Sequence, residues 1–180
     1  FKKMNMQYHQ PKLVVFENTV QSACGRSESG MGPFYCPRDA TVYIDNSWNN
    51  DKKDGFGSLG GFAQAYIVAH EVAHYVQKLD GIARRMMQQR TDVPDAEATA
   101  MSVMMELQAD CFAGVWARKA KEVLNIIEEG DVEGGLKAAA AIGDGRLQKH
   151  SQGYVVPEAF THGTSEQRSR WFKRGMDAAL

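Results

Sequence analysis

Two long helical segments constrain this chain more than any other feature, because each interrupts an apolar surface with ionisable residues spaced one turn apart. Residues 61–79 carry Phe62, Ile67, Val68, Val72 and Val76 around nearly the whole helix. A helix of that composition is buried. Its polar stripe, His70, Glu71 and His74, must then be satisfied inside the protein. A second helix, expected over residues 95–121 after the start signal Thr91-Asp92-Val93-Pro94, places Glu106 and Asp110 four apart among Leu107, Phe112, Val115 and Trp116. Two carboxylates on one face repel each other and lose solvation on burial. Something positive or hydrogen-bond-donating must face them. The simplest alternatives are a solvated stripe for the histidines and an arginine salt bridge, from Arg84 or Arg118, for the acids.

The remaining chain fits one domain over residues 1–180. Charged residues make up 24% and the net charge is -1, so no basic stripe points to nucleic acid. The apolar stretch at 61–76 is broken by Gln64, His70, Glu71 and His74 and is no membrane span. The chain opens on Phe1 rather than Met, so it is expected to be a piece of a longer protein. Strands are expected at 12–16 and 41–45, the latter either an ordinary sheet strand or an edge that takes an extended peptide. Residues 21–31 and 47–60 read as loops, and residues 1–9 as a short helix. Helices are expected at 82–89 and, broken by glycines, over 123–148. A capping box, Thr164-Ser165-Glu166-Gln167, opens a last helix to about residue 179. Helices dominate and strands come early, which makes the class α+β with a small sheet beside a helical body. Met101, Met104 and Met105 are expected as core filler, Gly114 as a point of close helix packing, and His9 and His150 at the surface.

Cys24 and Cys36 flank a Gly/Ser-rich loop, while Cys111 sits in an apolar helical run. A Cys24–Cys36 bridge is expected, with an oxidising, extracytoplasmic location. Three reduced cysteines in a cytosolic protein are the alternative.

His70-Glu71-Val72-Ala73-His74 is a His-Glu-x-x-His pattern. Residues four apart on a helix share a face, so His70 and His74 can offer nitrogens to one ion. Glu106 is the natural third ligand, and Asp110 can accept the second N–H of His70, fixing its tautomer. Two histidines and one carboxylate leave a position open, the pattern of catalytic rather than structural zinc. One Zn2+ per chain is expected, with Glu71 as general base for a metal-activated water and a peptide or protein as substrate. A second reading is a catalytically silent protein that keeps zinc for stability and binds a protein partner.

Several segments occur in a familiar order: Ser22-Ala23-Cys24-Gly25, Gly32-Pro33-Phe34-Tyr35-Cys36-Pro37, Val42-Tyr43-Ile44-Asp45, the His70–His74 motif, Glu106-Leu107-Gln108-Ala109-Asp110, and His162-Gly163-Thr164-Ser165-Glu166-Gln167-Arg168. Together they resemble the bacterial putative neutral zinc metallopeptidase family. The resemblance implies a zincin-like fold of gluzincin type and, as often in that family, a membrane anchor or signal upstream of the domain, through which alone any membrane contact is expected. The Glu-x-x-Ala-Asp pattern is also similar to that of small membrane-associated gluzincins, in which a late Thr-His-Pro…Arg segment serves the active site. Here Thr161-His162-Gly163…Arg168 stands in that place, with Gly163 for proline. His162 is accordingly expected to aid catalysis as an oxyanion donor. Arg168 is expected either to join it or to hold Glu106 or Asp110.

Overall fold

The early strands form because residues 12–16 and 41–45 concentrate β-branched and aromatic side chains, which suit a pleated surface packed on its faces. The computed structural model describes residues 7–28, 32–46, 60–128, 130–141 and 161–178. Its strands are β1 (Lys12–Phe16), β2 (Thr19–Ser22), β3 (Gly25–Glu28), β4 (Phe34–Cys36) and β5 (Thr41–Asp45). The sheet order is β1-β5-β4, with β5 parallel to β1 and antiparallel to β4. Phe16, Cys36 and Tyr43 bury one face, joined by Val14, Val20 and Phe34.

One sequence alternative is decided here and one expectation is corrected. β5 is the central strand of the described sheet, so of the two readings the ordinary sheet strand holds: β1 pairs with it along residues 41–45 and β4 along residues 41–43. Residues 21–31 are not simply a loop. β2 and β3 form an antiparallel hairpin there, with Ser22 paired to Gly25. Little hydrophobic pattern marks this ribbon, since only Val20 packs on the core cluster. Local and cross-chain ties hold it instead. Ser22 Oγ donates to the Gly25 carbonyl, Ala23 N–H donates to Asp39, and Cys24 is bridged to Cys36.

Helices follow: α1 (Gly60–Leu79), α2 (Ile82–Arg90), α3 (Asp95–Lys119), a π-helical turn (Ala120–Leu124), α4 (Asp131–Ala141) and α5 (Ser165–Asp177). Gly81, in the left-handed region at φ 71°, separates α1 from α2. The expected capping box of α5 is present: Thr164 accepts from Gln167 N–H, and the Gln167 side chain accepts from Thr164 N–H. Most of the expected 1–9 helix, the 47–60 loop up to residue 59, residues 142–148 and His150 lie outside the described residues. His9 is exposed, as expected.

Two glycines bring α3 and α5 together backbone to backbone. A Cβ on Gly114 would lie 2.0 Å from the Phe172 carbonyl oxygen, and one on Gly175 would lie 1.9 Å from that of Cys111. This contact, foreseen for Gly114, brings α5 alongside the turn of α3 that carries Asp110. Tyr66 of α1 packs edge-on against Phe172 of α5, closing a three-helix core with Ala63, Ala113 and Ala117.

Candidate metal centre

α1 and α3 cross so that the histidine stripe of one meets the acid stripe of the other. His70 Nε2 lies 3.1 Å from Glu106 Oε2 and 3.2 Å from His74 Nε2, and His74 Nε2 lies 3.4 Å from Glu106 Oε1. Bonds of about 2.0–2.2 Å to a tetrahedral zinc set its donor atoms roughly 3.3–3.6 Å apart. The three donor atoms thus already stand close to the corners of such a tetrahedron.

Hydrogen bonding supplies an independent test of fit. His70 Nδ1 faces Asp110 Oδ1 at 2.9 Å, and His74 Nδ1 faces Gln77 Oε1 at 2.9 Å. Both partners are acceptors, so both Nδ1 atoms carry hydrogen. In the neutral rings each Nε2 then presents a lone pair, and the two lone pairs converge with a carboxylate. Three acceptors in one place require a cation. Without a metal a proton must serve. Burial and the Arg168 charge oppose protonation of His70, but the Asp110 charge and the hydrogen bonds His70 donates to the Asp110 and Glu106 carboxylates outweigh them and push its pKa up to about 9. Burial likewise opposes ionisation of Glu106, yet hydrogen bonds and charge from both histidines hold its carboxyl well below the usual range. Two imidazoles and one carboxylate form a donor set that fits zinc.

Asp110 is fully buried and ties the site to α5. It accepts from His70, from the Tyr66 hydroxyl, and from Arg168 through Nε and Nη2, both at 2.9 Å. Arg168 is itself only 1% exposed. Its Nη2 lies 3.2 and 3.4 Å from the two ring nitrogens of His70. An in-plane approach so nearly equidistant would collide with Cε1, so the guanidinium rests over the ring face. Of the two roles expected for Arg168, the geometry shows it holding Asp110. An arginine bridge therefore exists to Asp110, but it comes from α5 and not from Arg84 or Arg118.

A cleft of about 830 Å3 opens onto this cluster. Glu71, His162, Phe34 and Tyr35 line it together with the three candidate ligands. Glu71 is buried, and that burial raises its pKa above the ordinary carboxylate value. His162 is half-buried, with Nδ1 2.9 Å from Thr161 Oγ1. Gly163 has φ 88°, which a proline ring cannot adopt, so the approach to α5 differs in shape from a Thr-His-Pro segment. The core-filler expectation for the methionines fails at two positions: Met104 is 54% exposed, and Met105 lines the cleft. Met104 faces solvent and Met105 the cleft. Sequence reasoning missed Tyr66 and Gln77. Their signal was positional, since Tyr66, His70, His74 and Gln77 follow the i, i+4, i+8, i+11 spacing of one helix face.

The family described as "Putative neutral zinc metallopeptidase" matches residues 1–179. The chain belongs to that family. Relatives of this zinc metallopeptidase family include the uncharacterized protein YpfJ of Escherichia coli K12, 54% identical over 178 residues, covering 99% of this chain and 62% of that protein. The uncharacterized protein Rv2575 of Mycobacterium tuberculosis H37Rv is 42% identical over 179 residues, covering 93% of this chain and 59% of that protein. The chain thus spans about three fifths of the length of these curated relatives. No solved structure matches it. Cys24 and Cys36 are bonded and Cys111 is a half-buried free cysteine. Among the described residues no helix is long and apolar enough to cross a membrane.

Proposed function

We propose that residues 1–180 form the catalytic domain of a zinc-dependent peptidase with a zincin-like arrangement, in which His70, His74 and Glu106 hold one metal ion. When bound, zinc supplies a Lewis acid that acidifies water and polarises a carbonyl. Glu71, beside the ligands and raised in pKa by burial, takes a proton from water in the cleft and returns it to the departing amine. His162 donates to the carbonyl oxygen of the scissile bond as negative charge develops there. Arg168 and Asp110 keep the His70 ring oriented throughout. Substrate is an extended peptide, which a cleft of about 830 Å3 open to solvent can admit. The Cys24–Cys36 bridge supports an oxidising, extracytoplasmic location.

One observation carries this reading: two imidazoles whose Nδ1 atoms face acceptors turn their Nε2 lone pairs onto one carboxylate. The experiment is cleavage profiling of the zinc-loaded protein on a peptide mixture, beside Glu71→Gln and His162→Phe. Glu71→Gln should keep zinc and lose turnover by several orders of magnitude. His162→Phe should keep zinc and lose roughly 10²–10³ in kcat, as loss of one oxyanion donor does. A zinc-loaded parent that cleaves nothing would replace this reading with that of a silent zinc protein that binds a partner.

A further inference from the structure

Gln77 is completely buried, and a primary amide in that position must place all its polar atoms. Its Nε2 donates to the Met105 carbonyl at 2.8 Å and to Gln108 Oε1 at 3.0 Å, while its Oε1 meets His74 Nδ1 at 2.9 Å. The Met105 carbonyl can only accept. Turning the amide over would set Oε1 against that carbonyl, acceptor against acceptor, and would offer His74 Nδ1 a donor instead. The α3 backbone therefore decides which end of the amide faces His74. That choice in turn puts the hydrogen on Nδ1 and the lone pair on Nε2, toward His70 and Glu106.

We infer that Gln77 is the positioning residue for His74, transmitting the orientation of the α3 backbone at Met105 into the tautomer and aim of a metal ligand. The inference rests on the metal-site reading above and deepens it. Its counterpart at His70 is Asp110, so each imidazole is held through Nδ1 by a different acceptor from a different source. The Gln77 link has a second consequence. Met105 immediately precedes Glu106, so one amide ties the second ligand of α1 to the peptide unit beside the ligand of α3. This cross-helix bond constrains the spacing between His74 and Glu106 without any metal. Gln77 lies three residues after His74 on the same helix face, close enough to reach the ring without distorting α1.

Two substitutions separate positioning from packing. Gln77→Met preserves length and apolar fit but offers His74 no comparable acceptor. Gln77→Glu keeps an acceptor for His74 and gives up the donor toward Met105. Zinc affinity is measured by chelator competition on folded protein, and cobalt-loaded protein is examined by proton NMR for the shifted, exchangeable N–H signals of its ligand imidazoles. Gln77→Met should bind zinc 10–100-fold more weakly, the usual effect of removing a ligand's hydrogen-bond partner. It should also lose one of two shifted N–H signals to solvent exchange. Gln77→Glu should keep the second signal, because His74 retains its acceptor, but should recover only part of the affinity, because the carboxylate does not donate to the Met105 carbonyl. If Gln77→Met does not fold, the Gln77→Glu protein still decides: retention of both signals supports the role, and loss of the His74 signal overturns it. Zinc affinity of Gln77→Met within about twofold of the parent, with both signals present, also overturns the inference. A parent protein with no shifted imidazole signal overturns the metal site itself, and the inference with it.

Discussion

Replacing Arg168 with methionine should unfold the protein more easily than any contact visible at its surface would suggest. The guanidinium grips Asp110 through two hydrogen bonds of 2.9 Å, and both side chains are almost wholly withdrawn from water. Methionine keeps the apolar stem but removes the charge, leaving the Asp110 carboxylate buried with only the Tyr66 hydroxyl and His70 as donors. Breaking a buried ion pair on one side costs about 3–5 kcal/mol. The two surviving donors place this case near the lower end, about 3 kcal/mol. For a chain of 180 residues that corresponds to a Tm lower by about 6–12 °C. Urea denaturation of the metal-free protein, with the slope compared between parent and variant, gives the number. The Asp110→Leu/Arg168→Met double variant should lose clearly less than the sum of the two single losses, because the single variants each strand a partner that the double variant does not. A loss below 1 kcal/mol for Arg168→Met, or strict additivity in the double variant, would refute the argument.

Two further outcomes follow from the same chemistry. His70 holds a proton below about 9 in the metal-free site, where Asp110 and Glu106 overcome the opposing effect of burial, and His74 is shifted upward too. Zinc takes only neutral imidazole, so binding near neutral pH should expel about one proton or more, and affinity should rise roughly tenfold or more per pH unit until about pH 9. Calorimetric titrations in buffers of different ionisation heat measure this, and a pH-independent affinity would contradict it. Thiol counting in denaturant should find only Cys111 reactive in protein from its native compartment, and reduction should cost about 2–3 kcal/mol for so short a loop; three reactive thiols would remove the support for an oxidising location.

The histidine and acid stripes were legible because helical periodicity converts sequence spacing into a shared face. His70, His74, Glu106 and Asp110 needed only the i, i+4 rule and the cost of burying charge. The capping box at Thr164 was equally local, and the structure reproduces it. Other features depend on long-range contacts that no spacing encodes. The partner of Asp110 lies 58 residues away, and it could be chosen from several arginines only once Gly114 and Gly175 had set the approach of α3 to α5. Whether β5 is an ordinary strand or an edge stays open in the sequence because strand order depends on which segments pair, while a strand's own pattern reports only that it is buried. The β2–β3 hairpin was missed because polar ribbons lack hydrophobic alternation. Gln77 lay in plain view at helical spacing, but a glutamine becomes informative only when the Met105 carbonyl fixes its orientation.

Metal analysis of the purified parent beside Glu106→Ala and His74→Ala bears most directly on the account. The parent should hold about one zinc per chain, as a site with three protein ligands and one open position implies. Each variant should lose it under the same dialysis while the disulfide and α5 keep the fold assembled. A Glu106→Ala protein that retained zinc as tightly as the parent would contradict the assignment of the third ligand, and with it the open, catalytic site on which the proposed function depends.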